Sequence, residues 1–347
     1  MYREFRAVNF RGFRELSVEQ LHRVNLITGR NNVGKSSLLE AMFIHSGAAN
    51  VHLPFSIENL RGVLQFEAGS EGILPDLFYN FDTIPTVELT GVDQLGRKTI
   101  CALRVVPIAT TLEPTTGETG TGSSGQAIEI TFSDEEKGER FTGRATFERG
   151  QPKIDPIPRP PLYVAILISS GGFGHQVDAD RFSALVKGVG EEERLLTALQ
   201  IVDPNIRGVR LLNHAGTAMI HVDIGMKRFL PIAYAGEGLT RIARILVAIA
   251  SCKNGILFVD EFENGVHYSI LSKMWTAVAD FADRFNVQVV ATSHSLECVR
   301  AAHEAFISRD YGFRLFRLQR KSGGLVEALG FDRDAVDAAL KTDLELR

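Results

Sequence analysis

The sequence has few cysteines and no long apolar segment. Its three cysteines are scattered along 347 residues, and none has the C-x-x-C spacing of a metal or redox site. They therefore predict neither a disulfide framework nor a zinc site, and they fit a reducing compartment. The N-terminus lacks the apolar core of a signal peptide, and no run of about 18 apolar residues occurs. These absences predict a cytoplasmic protein with no membrane span.

An excess of positive charge is also missing, because the formal net charge at pH 7 is −4. This balance argues against a protein that coats nucleic acid through its overall field. A local DNA track remains open as a hypothesis. The basic residues near the two ends of the chain that would form it are Arg3, Arg6, Arg11, Arg14, Arg314, Arg317, Arg320 and Lys321.

Changes of pattern divide the chain into three parts. Residues 1–84 contain two predicted strands separated by a turn, and the second strand runs into a glycine-rich loop and a helix. Residues 85–160 predict an antiparallel β insertion with a mobile Thr/Gly/Ser-rich loop over 110–126. Residues 161–347 alternate buried strands with amphipathic helices. The predicted fold is α/β, with a mostly parallel core sheet, flanking helices and the antiparallel insertion.

A phosphate-binding motif occupies residues 29–36. These residues match G-x-x-x-x-G-K-[ST] in full, between a predicted strand and a predicted helix. Backbone N–H groups at the glycines would surround the β-phosphate of ATP, Lys35 would reach the β- and γ-phosphates, and Ser36 would bind Mg²⁺. The residues predicted to contact the nucleotide are Gly29, Arg30, Asn31, Asn32, Val33, Gly34, Lys35, Ser36 and Ser37.

Two acidic residues end a predicted buried strand, ILFV, as expected of a Walker B segment. Asp260 at the strand tip would hold Mg²⁺ through water, and Glu261 would polarise the attacking water. The next predicted strand, VVATS, ends at His294, where open α/β sheets place their ligands. His294 is therefore the predicted γ-phosphate sensor. The predicted catalytic set is Lys35, Glu261 and His294.

Asp260 lies 225 residues after Lys35, which is more than compact P-loop enzymes need, so a large insertion separates the two motifs. In ABC-type ATPases, an insertion of this kind ends in a glycine-containing signature at the start of a helix. Two stretches compete for the role of an ABC-type signature, namely Ser170-Gly171-Gly172 and residues 235–238. The second is favoured because it opens a predicted helix whose free N–H groups would meet a phosphate. Its residues are Ala235, Gly236, Glu237 and Gly238.

Taken in order, FRAVNFRGFREL, VNLITGRNNVGKSSLLEAMF, PIAYAGEGLTRIARIL, ILFVDEFENGVH and VVATSHSLE resemble the AAA-type ATPases of the OLD, RecF and SMC-like branch of ABC proteins. The resemblance implies a stand-alone head that dimerises around two ATP molecules, each signature facing the partner's P-loop. It also implies that residues 264–267 form a dimer-facing D-loop. Ala235 stands where the usual signature has Ser, and Gln65 is the only candidate for the Q-loop. Neither coiled-coil arms nor a TOPRIM nuclease domain is visible.

The predicted function is an Mg²⁺-dependent ATPase that forms ADP and phosphate. It would work as a conformational switch that controls a partner protein, such as a nuclease or toxin, or engages DNA, in repair or antiphage defence. The alternative is a nucleotide-gated scaffold with negligible turnover, which Glu261 disfavours and Ala235 slightly favours. The N/T-K-x-D base-reading motif of GTPases does not occur.

Overall fold

The computed structural model describes residues 1–61, 75–107, 126–148, 151–155, 160–170, 174–321, 323–342 and 346. The Q-loop candidate Gln65 and the predicted mobile loop, apart from its last residue, lie outside these ranges.

Strands and helices alternate along most of the described chain. The strands are β1 (Tyr2–Phe10), β2 (Phe13–Val18), β3 (Val24–Gly29), β4 (Val87–Asp93), β5 (Lys98–Pro107), β6 (Gln126–Asp134), β7 (Glu139–Glu148), β8 (Gln151–Asp155), β9 (Ala165–Ile168), β10 (Gly208–His214), β11 (Thr217–Asp223), β12 (Leu230–Pro231), β13 (Ile256–Val259), β14 (Gln288–Thr292), β15 (Phe313–Arg320) and β16 (Val326–Phe331). The helices are α1 (Lys35–Ser46), α2 (His52–Leu60), α3 (His175–Leu185), α4 (Glu191–Val202), α5 (Glu237–Ser251), α6 (Tyr268–Phe285), α7 (Leu296–Ile307) and α8 (Arg333–Lys341).

A six-stranded sheet runs through the centre of the head in the order β16-β15-β3-β14-β13-β9. Its strands are parallel except β16, which pairs antiparallel with β15. Strands β3, β13 and β14 are buried along their whole length, so they are rich in apolar residues and do not alternate with exposed polar ones. In β13, for example, Leu257 and Val259 belong to one hydrophobic cluster, whereas Ile256 and Phe258 belong to the other. The predicted mostly parallel core sheet is confirmed.

The antiparallel strands form a second sheet, in the order β2-β1-β4-β5-β6-β7-β8. Strand β4 of the predicted insertion pairs directly with β1, so the N-terminus and the insertion share one sheet. Helix α1 lies between this sheet and the central one and is buried on several sides. The N-terminal segment holds three strands rather than the predicted two, because Phe13–Val18 returns along β1 as a hairpin.

Helices α5, α6 and α7 cover the opposite face of the central sheet. Trp275 of α6 stacks on Phe262 there, with 3.8 Å between the ring centroids. Helices α3 and α4 pack on α5 together with the small sheet β10-β11-β12. Among the described residues, no helix is both long and apolar enough to cross a membrane.

Candidate nucleotide site

The predicted phosphate loop joins β3 to α1 at the carboxyl end of the central sheet. Gly29 and Gly34 both have a positive φ, 139° and 109°, which other residues rarely adopt. A side chain at Gly29 would collide with the carbonyl oxygen of Leu318, and one at Gly34 would collide with the ring of Phe13. The backbone geometry of the loop between β3 and α1 therefore requires glycine at both positions.

Lys35 points back into this loop. Its Nζ donates to the carbonyl oxygens of Gly29 at 2.7 Å and Arg30 at 3.2 Å. Burial lowers the pKa of Lys35, while Asp260 and Glu261 nearby act in the opposite direction. The ammonium group is thus held within a partly desolvated loop, where a phosphate anion would be a stronger partner than two carbonyls.

Ser36 meets the predicted Walker B strand across the sheet. Its hydroxyl donates to the carboxylate of Asp260, with distances of 3.0 and 2.9 Å to Oδ1 and Oδ2. Thr292, at the end of β14 between the two motifs, donates to Asp260 Oδ1 at 2.6 Å. Side chains more than 200 positions apart in the sequence therefore form one oxygen-rich cluster.

The turn after Asp260 is fixed by neighbouring side chains. Glu261 has a φ of 49°, which is unusual for a residue other than glycine. Its N–H donates to Thr292 Oγ1 at 2.8 Å, and Arg241 Nη2 donates to the carbonyl oxygens of Asp260 and Glu261 at 2.6 and 2.9 Å. Burial, followed by the repulsion of Arg244, lowers the pKa of Arg241 to about 10.

Thr292 and Arg241 have no role among the residues predicted from the sequence. Arg241 could have been noticed, because a charged residue in the strongly apolar predicted helix that became α5 requires a polar partner. Thr292 carries no comparable signal, since threonine is common in buried strands.

His294 follows β14, as predicted, and its side chain is 54% exposed. Its N–H donates to Glu263 Oε1 at 2.9 Å, and its ring Nδ1 lies 3.3 Å from the same oxygen. Glu263 lies three residues after Asp260 and is not among the residues predicted from the sequence.

A cavity of about 400 Å³ opens beside Ser36 and Asp260. Its wall includes Arg61, whose guanidinium donates to both carboxylate oxygens of Glu40. Arg11 pairs with Glu40 from the other side at 2.8 Å, and its side chain is only 9% exposed. Arg11 is therefore part of an internal ion-pair network rather than of an exposed DNA track.

The favoured signature residues lie on a different part of the surface. Gly236 and Glu237 are exposed at the start of α5, and Ala235 is half-buried. In the fold, Gly238 lies next to Gly265, which belongs to the predicted D-loop, and next to Ile270. The competing Ser170 instead lines the cavity beside Asp260, and its carbonyl oxygen accepts from Asn264 at 3.1 Å. Gly171 and Gly172 lie outside the described residues.

Two sequence comparisons found proteins similar to this chain. Residues 151–300 match the protein-family model described as "AAA domain, putative AbiEii toxin, Type IV TA system". A protein of Helicobacter pylori named "ATP/GTP phosphatase" is 24% identical over 353 residues, covering 92% of this chain and 93% of the relative.

Two solved structures share the fold. One is an SMC head bound to the C-winged helix domain of ScpA, with a TM-score of 0.51 and 10% identity, covering 96% of this chain and 98% of that one. The other is an Smc head with an extended coiled coil, bound to the C-terminal domain of ScpA derived from Pyrococcus furiosus. It has a TM-score of 0.51 and 9% identity, and 99% of each chain is covered.

Proposed function

We propose that this chain, an ABC-type AAA ATPase of the SMC and RecF-like kind, is an ATP-driven switch that closes as a homodimer around two nucleotides. The observation that carries the proposal is the contact between Ser36 and Asp260, because it joins the phosphate loop to the Walker B strand. The closed state would control a partner protein or engage DNA.

The same contact fits Mg²⁺. The Ser36 hydroxyl and the Asp260 carboxylate are oxygen donors of the kind that Mg²⁺ prefers, and they lie within 3.0 Å of each other. Magnesium would supply charge neutralisation on the β- and γ-phosphates. Thr292 keeps the Asp260 carboxylate oriented towards the loop.

The protein residues divide the work of hydrolysis. Lys35 binds the β- and γ-phosphates, and Glu261 orients a water for attack on the γ-phosphorus while the bond to the ADP oxygen breaks. Phosphoryl transfer depends mainly on position, and the Glu261 turn is fixed because its carbonyl accepts from Arg241 and its N–H donates to Thr292. His294 contacts the γ-phosphate.

Dimerisation is supported by the exposure of the signature loop. Gly236 and Glu237 present the start of α5, with its unpaired N–H groups, to solvent. A nucleotide on a second copy would satisfy these donors. The predicted D-loop, residues 264–267, would lie at the same dimer face.

The second candidate function is a nucleotide-gated scaffold with negligible turnover. Ala235 favours it, because alanine offers no hydroxyl to the γ-phosphate. In this case ATP binding alone would close the dimer.

A protein partner is supported by the relatives. Both solved SMC heads are bound to domains of ScpA, and the description of the matched family model names a toxin and a toxin-antitoxin system. A nuclease or toxin effector is therefore the proposed partner class, with DNA as the other possibility.

The decisive experiment compares Glu261→Gln with Asp260→Asn. Glu261→Gln should keep ATP affinity and slow single-turnover hydrolysis by roughly two to four orders of magnitude, with the dimer remaining closed. Asp260→Asn should weaken both binding and hydrolysis, because it damages the Mg²⁺ site. Glu304→Gln, on the exposed face of α7, serves as the control. Unchanged hydrolysis in Glu261→Gln would remove Glu261 from its role, and no phosphate release by the parent would favour the scaffold.

A further inference from the structure

A third carboxylate lies in the site, and the proposed chemistry does not use it. Glu263 has a side chain only 10% exposed, next to the end of β14. Its Oε1 accepts from the Ser293 hydroxyl at 2.8 Å and from the main-chain N–H of His294 at 2.9 Å. One oxygen of this carboxylate therefore already holds the segment that carries His294.

The other oxygen, Glu263 Oε2, is buried and has no hydrogen-bond partner among the described residues. A buried carboxylate oxygen without a donor is unfavourable, so its retention indicates a donor that can reach it. The His294 imidazole is a mobile candidate donor, because its Nδ1 already lies 3.3 Å from Oε1 and its side chain is half exposed. A small rotation of the ring would give Oε2 the N–H that it lacks.

We infer that Glu263 is a positioning residue for His294. The carboxylate accepts Nδ1–H, which fixes the ring orientation and leaves Nε2 to face the terminal phosphate. When one ring nitrogen of a histidine donates to a carboxylate, the tautomer and the orientation of the ring are fixed. The other ring nitrogen then lies in a defined position. This inference rests on the proposed function, because that proposal has His294 contact the γ-phosphate of ATP.

A purely structural role for Glu263 makes a different prediction. If the carboxylate only tethers residues 293–294 through Oε1, removing its charge should slow hydrolysis by the same factor with or without the imidazole. If it acts through the imidazole, its removal should matter only while His294 is present. The two roles are therefore separable by a double-mutant cycle.

The cycle uses single-turnover ATP hydrolysis and ATP affinity for Glu263→Gln, His294→Ala and the double variant. Glu263→Gln should slow hydrolysis by about 10- to 100-fold with ATP affinity unchanged, and it should add almost nothing in the His294→Ala background. Ser293→Ala is the matched control, because it removes one donor to Oε1 without touching the imidazole. It should change the rate by less than about threefold. Additive effects of the two substitutions would overturn the inference.

A spectroscopic measurement tests the same inference without relying on turnover. Long-range ¹H–¹⁵N correlation spectra of protein labelled at its nine histidines, assigned with His294→Gln, report which ring nitrogen carries the proton. His294 should be protonated at Nδ1 in the parent and shift towards the Nε2–H form in Glu263→Gln. The same tautomer in both proteins would refute the positioning role. If the parent does not hydrolyse ATP, the proposed function fails, while this spectrum still decides the role of Glu263.

Discussion

The phosphate loop and the signature loop differ in how much of their surroundings the chain itself supplies. Ser36, Asp260 and Thr292 come from three separate elements and bond to one another within 3.0 Å. Gly236 and Glu237, by contrast, are exposed at the start of their helix. One region is assembled inside a single copy, and the other is directed outwards. Substitutions in the phosphate loop should therefore weaken ATP binding by the monomer. Substitutions in the signature loop should affect activity only once two copies have dimerised.

The largest effect is expected from Lys35→Ala. Removing the ammonium group takes away the motif lysine that would bind the β- and γ-phosphates, so ATP affinity should fall at least about 100-fold. Titration with a fluorescent ATP analogue measures this loss directly. Lys273→Ala, on the exposed face of α6, should bind like the parent. Parent-like affinity in Lys35→Ala would show that the phosphate loop has been misassigned.

The signature loop should respond differently. Ala235→Asp places a negative charge where the partner's γ-phosphate is expected, so hydrolysis should fall by about 100-fold while ATP affinity of the monomer stays within about twofold. Ala235→Ser, which restores a hydroxyl, should raise the rate a few-fold, roughly two to ten times. The measurements are steady-state phosphate release and nucleotide titration.

Mixing the two inactive proteins sharpens the contrast further. In a heterodimer of Lys35→Ala and Ala235→Asp subunits, one nucleotide site has both defects and the other has an intact loop and an intact signature. With random pairing, about half of the dimers are heterodimers, and each has one intact site of two. Mixing should therefore restore up to about a quarter of the parent activity if the dimer is two-fold symmetric. No recovery on mixing, with dimers present by light scattering, would argue that the signature does not act in trans.

A smaller effect is expected from Thr292→Val, which keeps the shape of the side chain but removes its hydroxyl. The variant loses the bond to Asp260 and the acceptor for the Glu261 N–H. Hydrolysis should drop by about tenfold and the free energy of unfolding by about 1–2 kcal/mol. Thr276→Val in α6, where the hydroxyl donates only to the Ser272 carbonyl, should leave hydrolysis unchanged. Equal rates for the two variants would mean that Thr292 does not orient the site.

The last prediction concerns stability in acid and not ATP hydrolysis. Burial lowers the pKa of His45, at the end of α1, to about 4 from its ordinary value of 6.5. As the pH falls, His45 is protonated in the unfolded chain near pH 6.5 but in the folded protein only near pH 4. The free energy of unfolding is therefore unaffected by His45 above pH 6.5 and decreases as the pH falls towards 4. Between pH 6.5 and pH 4, the free energy of unfolding should decrease by about 3 kcal/mol. Urea unfolding at several pH values should give a flatter profile for His45→Asn, which cannot titrate, and identical profiles would contradict this account.

Contiguous motifs allowed the positions of the predicted phosphate loop and of Asp260-Glu261, at the ends of β3 and β13, to be predicted from the sequence. Each motif is a short run at the end of a strand, and the chemistry is contained in neighbouring residues. Arg241, Glu263 and Thr292 were not predictable in the same way, because their roles depend on which side chain faces them across the fold. The shared sheet of β1 and β4 was missed for a similar reason, since strand pairing over about 80 residues leaves no local pattern.

The order of strands in the central sheet also determines when the head can fold. Strand β3 lies between β14 and β15, whose residues follow it by more than 260 positions in the chain. During synthesis, β3 therefore cannot pair with β14 or β15 until residues near 290–320 have left the ribosome. Such long-range parallel pairing is slow and exposes apolar edges. Nascent chains that end before β14 should therefore depend on chaperones and should not be retained by immobilised ATP.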